Sequence, residues 1–490
     1  MILITKMKLV KKPMLAYFMD STTSTNALVE KRIRYYKEIT KDNNDVLYKN
    51  IPTNEGIVTI IFSQSLTDSK TLEIMVLIPL ANYIHQIHQV AEHMNPSNID
   101  EITQKLATGE TLLYFHETNQ LLSIHTYSVK EREVTTSEME STFIGPQDVF
   151  TESIQTNLSL VKRRIVNPML KNEDLTIGSV SNTKITIIYI DDLVDKTSLE
   201  QLKSRLTKLD YPKFFDISTL MQLIEDNPYS LFPQYYMTVK PDTTSHYLAD
   251  GRIVILMNNS QAALVCPTSF LEMFISAEDY YNRWPSASLV RSLRFFGFFL
   301  TIMITPTYIS ALTFHQEVLP YELLLNLQES RMKVPFSPLF EVLFIELIVE
   351  VLKEAGARMP AKIGQTIGIV GGIVIGTAAV EAGLVSNILI VIVATSALLS
   401  FLPPVFHMSN TSRTIRYVFI LSAGIFGLFG QMLAFAWLIA HLLRVKSLGT
   451  PFMSPVIPRR VSDLMDSVVR FPISFLKRKS GISRSKKRSI

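Results

Sequence analysis

Glu346, Glu350 and Glu354 stand four residues apart in a stretch that is otherwise mostly apolar, and Glu341 precedes them. On a helix, positions four apart share one face, so these carboxylates form a stripe. A carboxylate at the centre of a bilayer costs at least about 2.5–3.5 kcal/mol, so the stripe is not expected to face lipid. Two chemistries fit. Repeated around an oligomer, the glutamates would make rings of negative charge that draw cations into a pore. Alternatively, they are the solvated face of a helix at the membrane interface. Glu381 poses the same choice: a buried ionisable group with a gating role, or the polar end of a span with Gly383 making the turn.

Other chemistry is sparse. His85, His88 and His93 resemble a metal cluster only superficially, because no cysteine supports them, and no metal site is expected. Cys266 is the single cysteine, so no intrachain disulfide can form. The chain has no Gly-Lys-Ser/Thr phosphate loop, no nucleophile-elbow glycine pair and no paired CxxC. Asp191-Asp192 comes after an apolar run, but two acids in a loop are ordinary. No acid, base and nucleophile can be assembled, so neither an enzyme nor a cofactor is expected.

The element around which the apolar region is organised is marked by glycine. Gly364, Gly368, Gly372 and Gly376 fall four apart, giving one bare stripe on a helix. Such a helix is poor in water, at roughly 1 kcal/mol per Gly against Ala. In lipid the backbone satisfies itself, and small residues let helices approach closely. Around this stripe, residues 295–314 run for a bilayer's length without charge, with Pro306 inside. Residues 384–406 and 417–443 are also apolar enough to span, the last containing Gly424, Gly427 and Gly430. Together with 366–380 these give about four spans, with 335–353 outside the count as an interfacial or pore-lining helix. Residues 407–416 then become a loop carrying Arg413 and Arg416.

Before residue 291 the chain reads as α/β. Residues 56–62, 73–80, 111–115 and 121–127 read as strands, and 84–93 as a helix. Helical spacing then runs from Phe150 through Ile154, Leu158, Val161 and Ile165. Residues 185–190 read as a buried strand, 199–206 as a helix, and 252–257 with 262–265 as a hairpin. The fold class expected is therefore an α/β N-terminal region of two subdomains followed by an α-helical polytopic membrane domain. The domains run 1–50 (tail with a short helix at 24–36), 51–140, 141–290, 291–443 (membrane) and 444–490 (basic tail).

Charge agrees. The 490-residue chain is +4 overall, with +10 in residues 444–490, +1 in 291–443 and −7 in 1–290. An acidic front, an apolar middle and a basic end suit a membrane protein rather than a nucleic-acid binder, and basic flanks usually stay in the cytoplasm. The first twenty residues lack a signal-peptide pattern, so the front is expected in the cytosol. Within the tail, Val461, Leu464, Met465, Val468 and Val469 make either a short helix on an anionic membrane surface or part of a disordered basic anchor.

Five stretches carry a family resemblance: GPQDVFTESIQTNLSLVKRRI at 145–165, LIEDNPYSLFPQ at 223–234, EDYYNRW at 278–284, FHQE at 314–317 and AAVEAGLVS at 378–386. In order and spacing the chain resembles the A subunit of the GerA family of spore germination receptors across about residues 140–440. Gln147 and Thr377 depart from residues common in the family. The resemblance implies a multi-pass protein of the spore inner membrane, working beside a transporter-like B subunit and a lipoprotein C subunit. It also implies homo-oligomerisation into a nutrient-gated ion channel that triggers germination. The alternative is a membrane-anchored signalling scaffold of the receptor complex without its own pore.

Overall fold

A computed structural model describes residues 25–127, 140, 142, 144–359, 372, 376–459 and 464–475. The chain divides into two compact units. The first contains residues 25–127, 153–175 and 184–191; the second contains 140, 142, 144–152, 176–183 and the described residues from 192 onward.

In the first unit, strands β1 (Val46–Thr53), β2 (Gly56–Ser63), β3 (Glu92–Met94), β4 (Glu110–Phe115) and β5 (Gln120–His125) form an antiparallel sheet in the order β1-β2-β4-β5-β3. Alternation along each strand feeds two cores. Val58, Ile60, Phe62, Leu113, Phe115, Leu122 and Ile124 pack with Val76, Leu80 and Ile87 on one face. Ile61, Leu112, Tyr114 and Leu121 pack with Val29, Tyr36, Ile102 and Leu106 on the other. The helix expected at 24–36 spans Thr25–Ile39.

Residues 73–80, expected as a strand, are helical: a π turn at Glu73–Leu77 runs into Ile78–Asn82. The reason is which residues are buried. Val76 and Leu80, four apart, are buried, while Ile74 and Ile78 are exposed. The helix expected at 84–93 stops at Val90, and Glu92–Met94 joins the sheet.

The helix Ile154–Arg164 is capped by Ser153 and ends on Lys162, Arg163 and Arg164, cations that suit its C-terminal dipole. Strands β6 (Leu170–Ile177) and β7 (Thr183–Ile190) come next, the second over the apolar run expected at 185–190. In the second unit, helix Lys196–Thr207 covers the expected 199–206. The expected hairpin is β9 (Ile253–Met257) paired antiparallel with β10 (Ala263–Cys266); β8 (Tyr236–Thr238) pairs on the other side of β10.

The rest of the second unit is a helical bundle. Its helices among the described residues are Trp284–Thr313, Tyr321–Arg331, Pro338–Ala357, Gly376–Glu381, Asn387–Leu399 and Phe406–Arg444. Trp284–Thr313 and Phe406–Arg444 are long and apolar enough to cross a membrane, and Asn387–Leu399 is a shorter apolar helix. Residues 407–416, expected as a loop, lie inside the Phe406–Arg444 helix.

That last helix is a hairpin. Gly427 breaks it with φ 60° and ψ −142°. Thr411 Oγ1 donates to the Leu231 carbonyl at 2.6 Å, while Ser230 Oγ lies 2.9 Å from His441 Nε2. On a straight helix, residues 411 and 441 would be about 45 Å apart; here they meet neighbouring residues of one loop. At the turn, a Cβ on Gly430 would collide with the Ser422 carbonyl, and one on Gly427 would lie 2.9 Å from Phe314 Cβ. Only glycine fits such a turn.

The bundle therefore has two ends. Thr411, His441, Lys353 (Nζ to Ser400 Oγ, 3.1 Å) and Ser409 (Oγ to the Ser400 carbonyl, 2.6 Å) mark the proximal end. Tyr308, Ser386, Glu341, Phe314 and Gly427 mark the distal end. Pro338–Ala357 runs between them, with one face in the bundle and Phe340, Phe344, Leu347 and Val351 exposed on the other.

The C-terminal segment is built into the same unit. Lys446–Ser447 and Thr450–Pro451 form a small antiparallel pair, and Phe452 is fully buried. Of the apolar residues expected either as a surface helix or as part of a basic anchor, Leu464, Met465, Val468 and Val469 are described. Leu464 is helical, the residues after it turn with a bridge between Asp466 and Arg470, and Ile473–Phe475 is a short 3-10 helix; Val461 lies outside the described residues. Arg470 and Arg291 are both buried; Asp466 of this segment pairs with Arg291, and Arg470 reaches the Asn282 carbonyl.

Candidate functional site

The carboxylate stripe meets arginines. Glu346 and Arg416 are both 0% exposed, with Glu346 Oε2 2.7 Å from Arg416 Nη2. Arg416 Nη1 donates to Ser396 Oγ at 2.8 Å, and Ser396 Oγ donates to the Thr301 carbonyl at 3.0 Å. Thr305 Oγ1 donates to Glu346 Oε1 at 3.4 Å. One turn closer to the proximal end, Glu350 Oε1 pairs with Arg413 Nη1 at 2.6 Å, and Arg413 also donates to Asn410 Oδ1. The carboxylates are four apart and the arginines three apart on antiparallel helices, so the pairs stack as rungs.

Glu341 sits at the distal end and is also fully buried. Its Oε1 accepts the Ser386 backbone N–H at 2.7 Å, and its Oε2 accepts Arg331 Nε at 3.1 Å. Ser386 is the N-cap of Asn387–Leu399. Glu341 thus lends a negative charge to a helix N-terminus, where the dipole favours it. Glu354 is exposed and pairs with Arg358 at 2.5 Å. Glu381 is exposed at the end of Gly376–Glu381, apart from the ladder.

The fully buried Glu346–Arg416 rung is costly to break, whereas the Glu350–Arg413 pair, with Glu350 37% exposed, is worth less. Burying two ions is offset only if geometry and extra hydrogen bonds are good, and removing one partner costs about 3–5 kcal/mol because a buried charge is left bare. The solvated-face reading of the stripe does not describe Glu346. Arg416 and Arg413 are the partners that spacing along the sequence did not reveal. The signal was their presence beside long apolar runs.

Of the glycine stripe, Gly364 and Gly368 lie outside the described residues. At Gly372 and Gly376, an added Cβ would meet nothing within 4 Å. At Gly424, by contrast, an added Cβ would lie 2.6 Å from Leu339 Cδ1.

A second ionic cluster ties EDYYNRW to the C-terminal segment. Arg291 Nε donates to Asp279 Oδ2 at 3.0 Å and its Nη1 to Asp466 Oδ1 at 2.6 Å. Arg294 donates to both Asp279 oxygens, Tyr280 OH donates to Asp466 Oδ2 at 2.7 Å, and Arg470 Nη1 donates to the Asn282 carbonyl at 2.9 Å.

In the first unit, Asp45 is buried and accepts from Lys162 Nζ at 2.5 Å, from Ser65 Oγ and N, and from Ser63 Oγ. Burial works to raise its pKa, but the Lys162 charge and these hydrogen bonds prevail and hold it below the ordinary value. A cavity of 310 Å³ lies beside this pair, lined in part by Asp42, Lys162, Lys171 and Asp191. The histidines do not gather: His88 stacks on His93 at 6.3 Å, and no group of three or more metal-binding side chains occurs among the described residues.

The chain is 40% identical to spore germination protein GerQA of Bacillus cereus over 94% of its own length and 93% of that protein's. It is 34% identical to spore germination protein KA of Bacillus subtilis, over 90% and 84% respectively. A crystal structure of the N-terminal domain of the A subunit of the Bacillus megaterium spore germinant receptor GerK3 aligns with 49% of this chain and 94% of that one, at 24% identity and TM-score 0.38. The model of the Bacillus/Clostridium GerA spore germination proteins matches residues 34–482. With that match across nearly the whole chain, this protein belongs to the GerA family of spore germination proteins.

Proposed function

We propose that the chain is the A subunit of a nutrient germinant receptor in the spore inner membrane. It works with a transporter-like B subunit and a lipoprotein C subunit, and oligomerises into a nutrient-gated ion channel. The observation that carries the ion-path reading is the ladder: three carboxylates of one apolar helix are held by arginines of neighbouring elements. Ionisable groups among apolar helices mark ion pathways and switches. In this arrangement the glutamates are neutralised, which suits a closed state. Nutrient binding would shift a closed–open equilibrium by no more than its differential affinity for the two states. Glu341, Glu346, Glu350 and Glu381 are the candidate pore or gating residues. Gly364, Gly368, Gly372 and Gly376 are the candidate packing stripe between copies, consistent with the open space at Gly372 and Gly376.

A common side for the residues before the first bundle helix and for the C-terminal segment is supported by Arg291 and Asp466, and we place that side in the cytosol. The two residues meet at one point, so the chain between them crosses an even number of times. The experiment is reconstitution of the three subunits in vesicles, reading nutrient-dependent ion flux for the unaltered chain and for Glu346→Gln with Glu350→Gln. A channel changes its flux response when these charges are removed. A scaffold without its own pore, the second reading, shows no nutrient-dependent flux from intact complexes of the unaltered chain.

A further inference from the structure

The motif LIEDNPYSLFPQ is built as a rigid loop with an apolar tip. Gln234 brackets it, its Oε1 accepting Asn227 N at 2.9 Å and its Nε2 donating to the Asn227 carbonyl at 2.7 Å. Glu225 accepts Gln234 N at 2.9 Å, Asp226 pairs with Arg205 and accepts Gly449 N at 3.0 Å, and Ser230 N donates to the Asn227 carbonyl at 3.0 Å. Phe232 is buried against Phe270, Phe298 and Phe452. These bonds hold two side chains outward: Tyr229, 100% exposed, and Leu231, 44% exposed.

The tip is fixed where both arms of the hairpin end. Thr411 holds the Leu231 carbonyl, and His441 holds Ser230. The Trp437 ring stacks on His441 at 5.7 Å and is itself 47% exposed. Arg444 and Lys446, both exposed, come within a few residues. Exposed aromatics beside a span's end, followed by cations, are favoured by the headgroup layer, because an amphipathic ring sits at the boundary and a cation meets lipid phosphate.

We propose that Tyr229 and Leu231 form a lipid anchor, inserting into the headgroup layer of the bilayer beside Trp437 and fixing the second unit's strands against the membrane. The proposal rests on the reading that the 406–444 hairpin lies in a bilayer. An exposed tyrosine and leucine on a floppy loop would need no occupant. Here five polar residues of the motif are spent holding the tip still, and the surface it continues is the apolar side of a spanning helix.

The test uses the full chain in phospholipid nanodiscs. Trp284 and Trp437 are its two tryptophans, so Trp284→Phe with Trp437→Phe gives a silent background for Tyr229→Trp, and separately for Leu231→Trp. Because Tyr229 is fully exposed, its replacement does not disturb folding. Emission is read with lipids brominated near the headgroup end of the acyl chain, and with aqueous iodide. A control protein keeps Trp437 alone.

The expected result is bromolipid quenching of the probe at 229 comparable to that of Trp437, with protection from iodide. Quenching of Trp437 but not of the probe, with free iodide access, places the tip in water and overturns the proposal while leaving the membrane reading standing. A probe shielded from both quenchers means that protein covers the tip, which also overturns it. If Trp437 itself is not quenched, the membrane reading fails, and the anchor with it.

Discussion

Arg416 is the residue on which the bundle's interior most depends. Its guanidinium reaches Glu346 and Ser396 with no solvent on either side. Arg416→Met leaves a carboxylate bare in the interior and should cost about 3–5 kcal/mol, whereas Arg416→Met with Glu346→Leu should be close to neutral or stabilising. Thermal unfolding of the detergent-solubilised chain checks this; equal losses in the single and double variants would count against the pair. Asp45 gives the matching prediction for the first unit. Its carboxyl is held below its ordinary 3.8, so its contribution to stability is complete above that value and drains away as pH falls through the folded pKa. Asp45→Asn should lower stability at neutral pH and flatten the acid limb of unfolding, read by the pH dependence of the melting temperature. An unchanged acid limb would contradict the assignment.

At the scale of elements, the hairpin at Gly427 changes how the C-terminal helix is understood. Length and hydropathy describe one long span, whereas the contacts of Thr411 and His441 require a return. Spin labels at the exposed positions Thr414 and Ile439, roughly 25 residues apart, would be separated by about 37 Å on a straight helix. The hairpin brings them much closer, and double electron–electron resonance distinguishes the two. Gly427→Val should be strongly destabilising, since a β-branched residue at φ 60° is strained and its Cβ meets Phe314. A fully stable Gly427→Val chain would argue for a different turn.

At the scale of the molecule, the C-terminal segment is a working part of the second unit rather than an appended tail. Asp466 and Tyr280 hold Arg291 at the start of the first bundle helix, and Arg470 caps the loop before it. Truncation after residue 463 strips Arg291 of one carboxylate and Asn282 of its donor. It should raise protease sensitivity near residues 278–291 and lower the melting temperature. Asp466→Asn should reproduce part of that loss, whereas Lys477→Gln should not. A truncated chain as resistant as the full one would show the clamp to be dispensable.

The sequence by itself determined the family, through motifs in order, and the class, through an α/β front before an apolar region of spanning length. It determined β2, β4, β5, the 253–266 hairpin and the Trp284–Thr313 helix, because in each the local period and the buried face agree. Residues 73–80 failed for the opposite reason: a short run rich in apolar residues fits either period, and only the neighbouring sheet chose Val76 and Leu80. Glu346 and Glu350 were legible as a stripe, but the arginines that neutralise them lie more than sixty residues away along the chain. Distance along the chain says nothing about which charges meet; packing decides that. The hairpin was hidden likewise, since glycine permits a reversal anywhere but only Phe314, Leu231 and Ser230, fixed by other elements, make it favourable at Gly427.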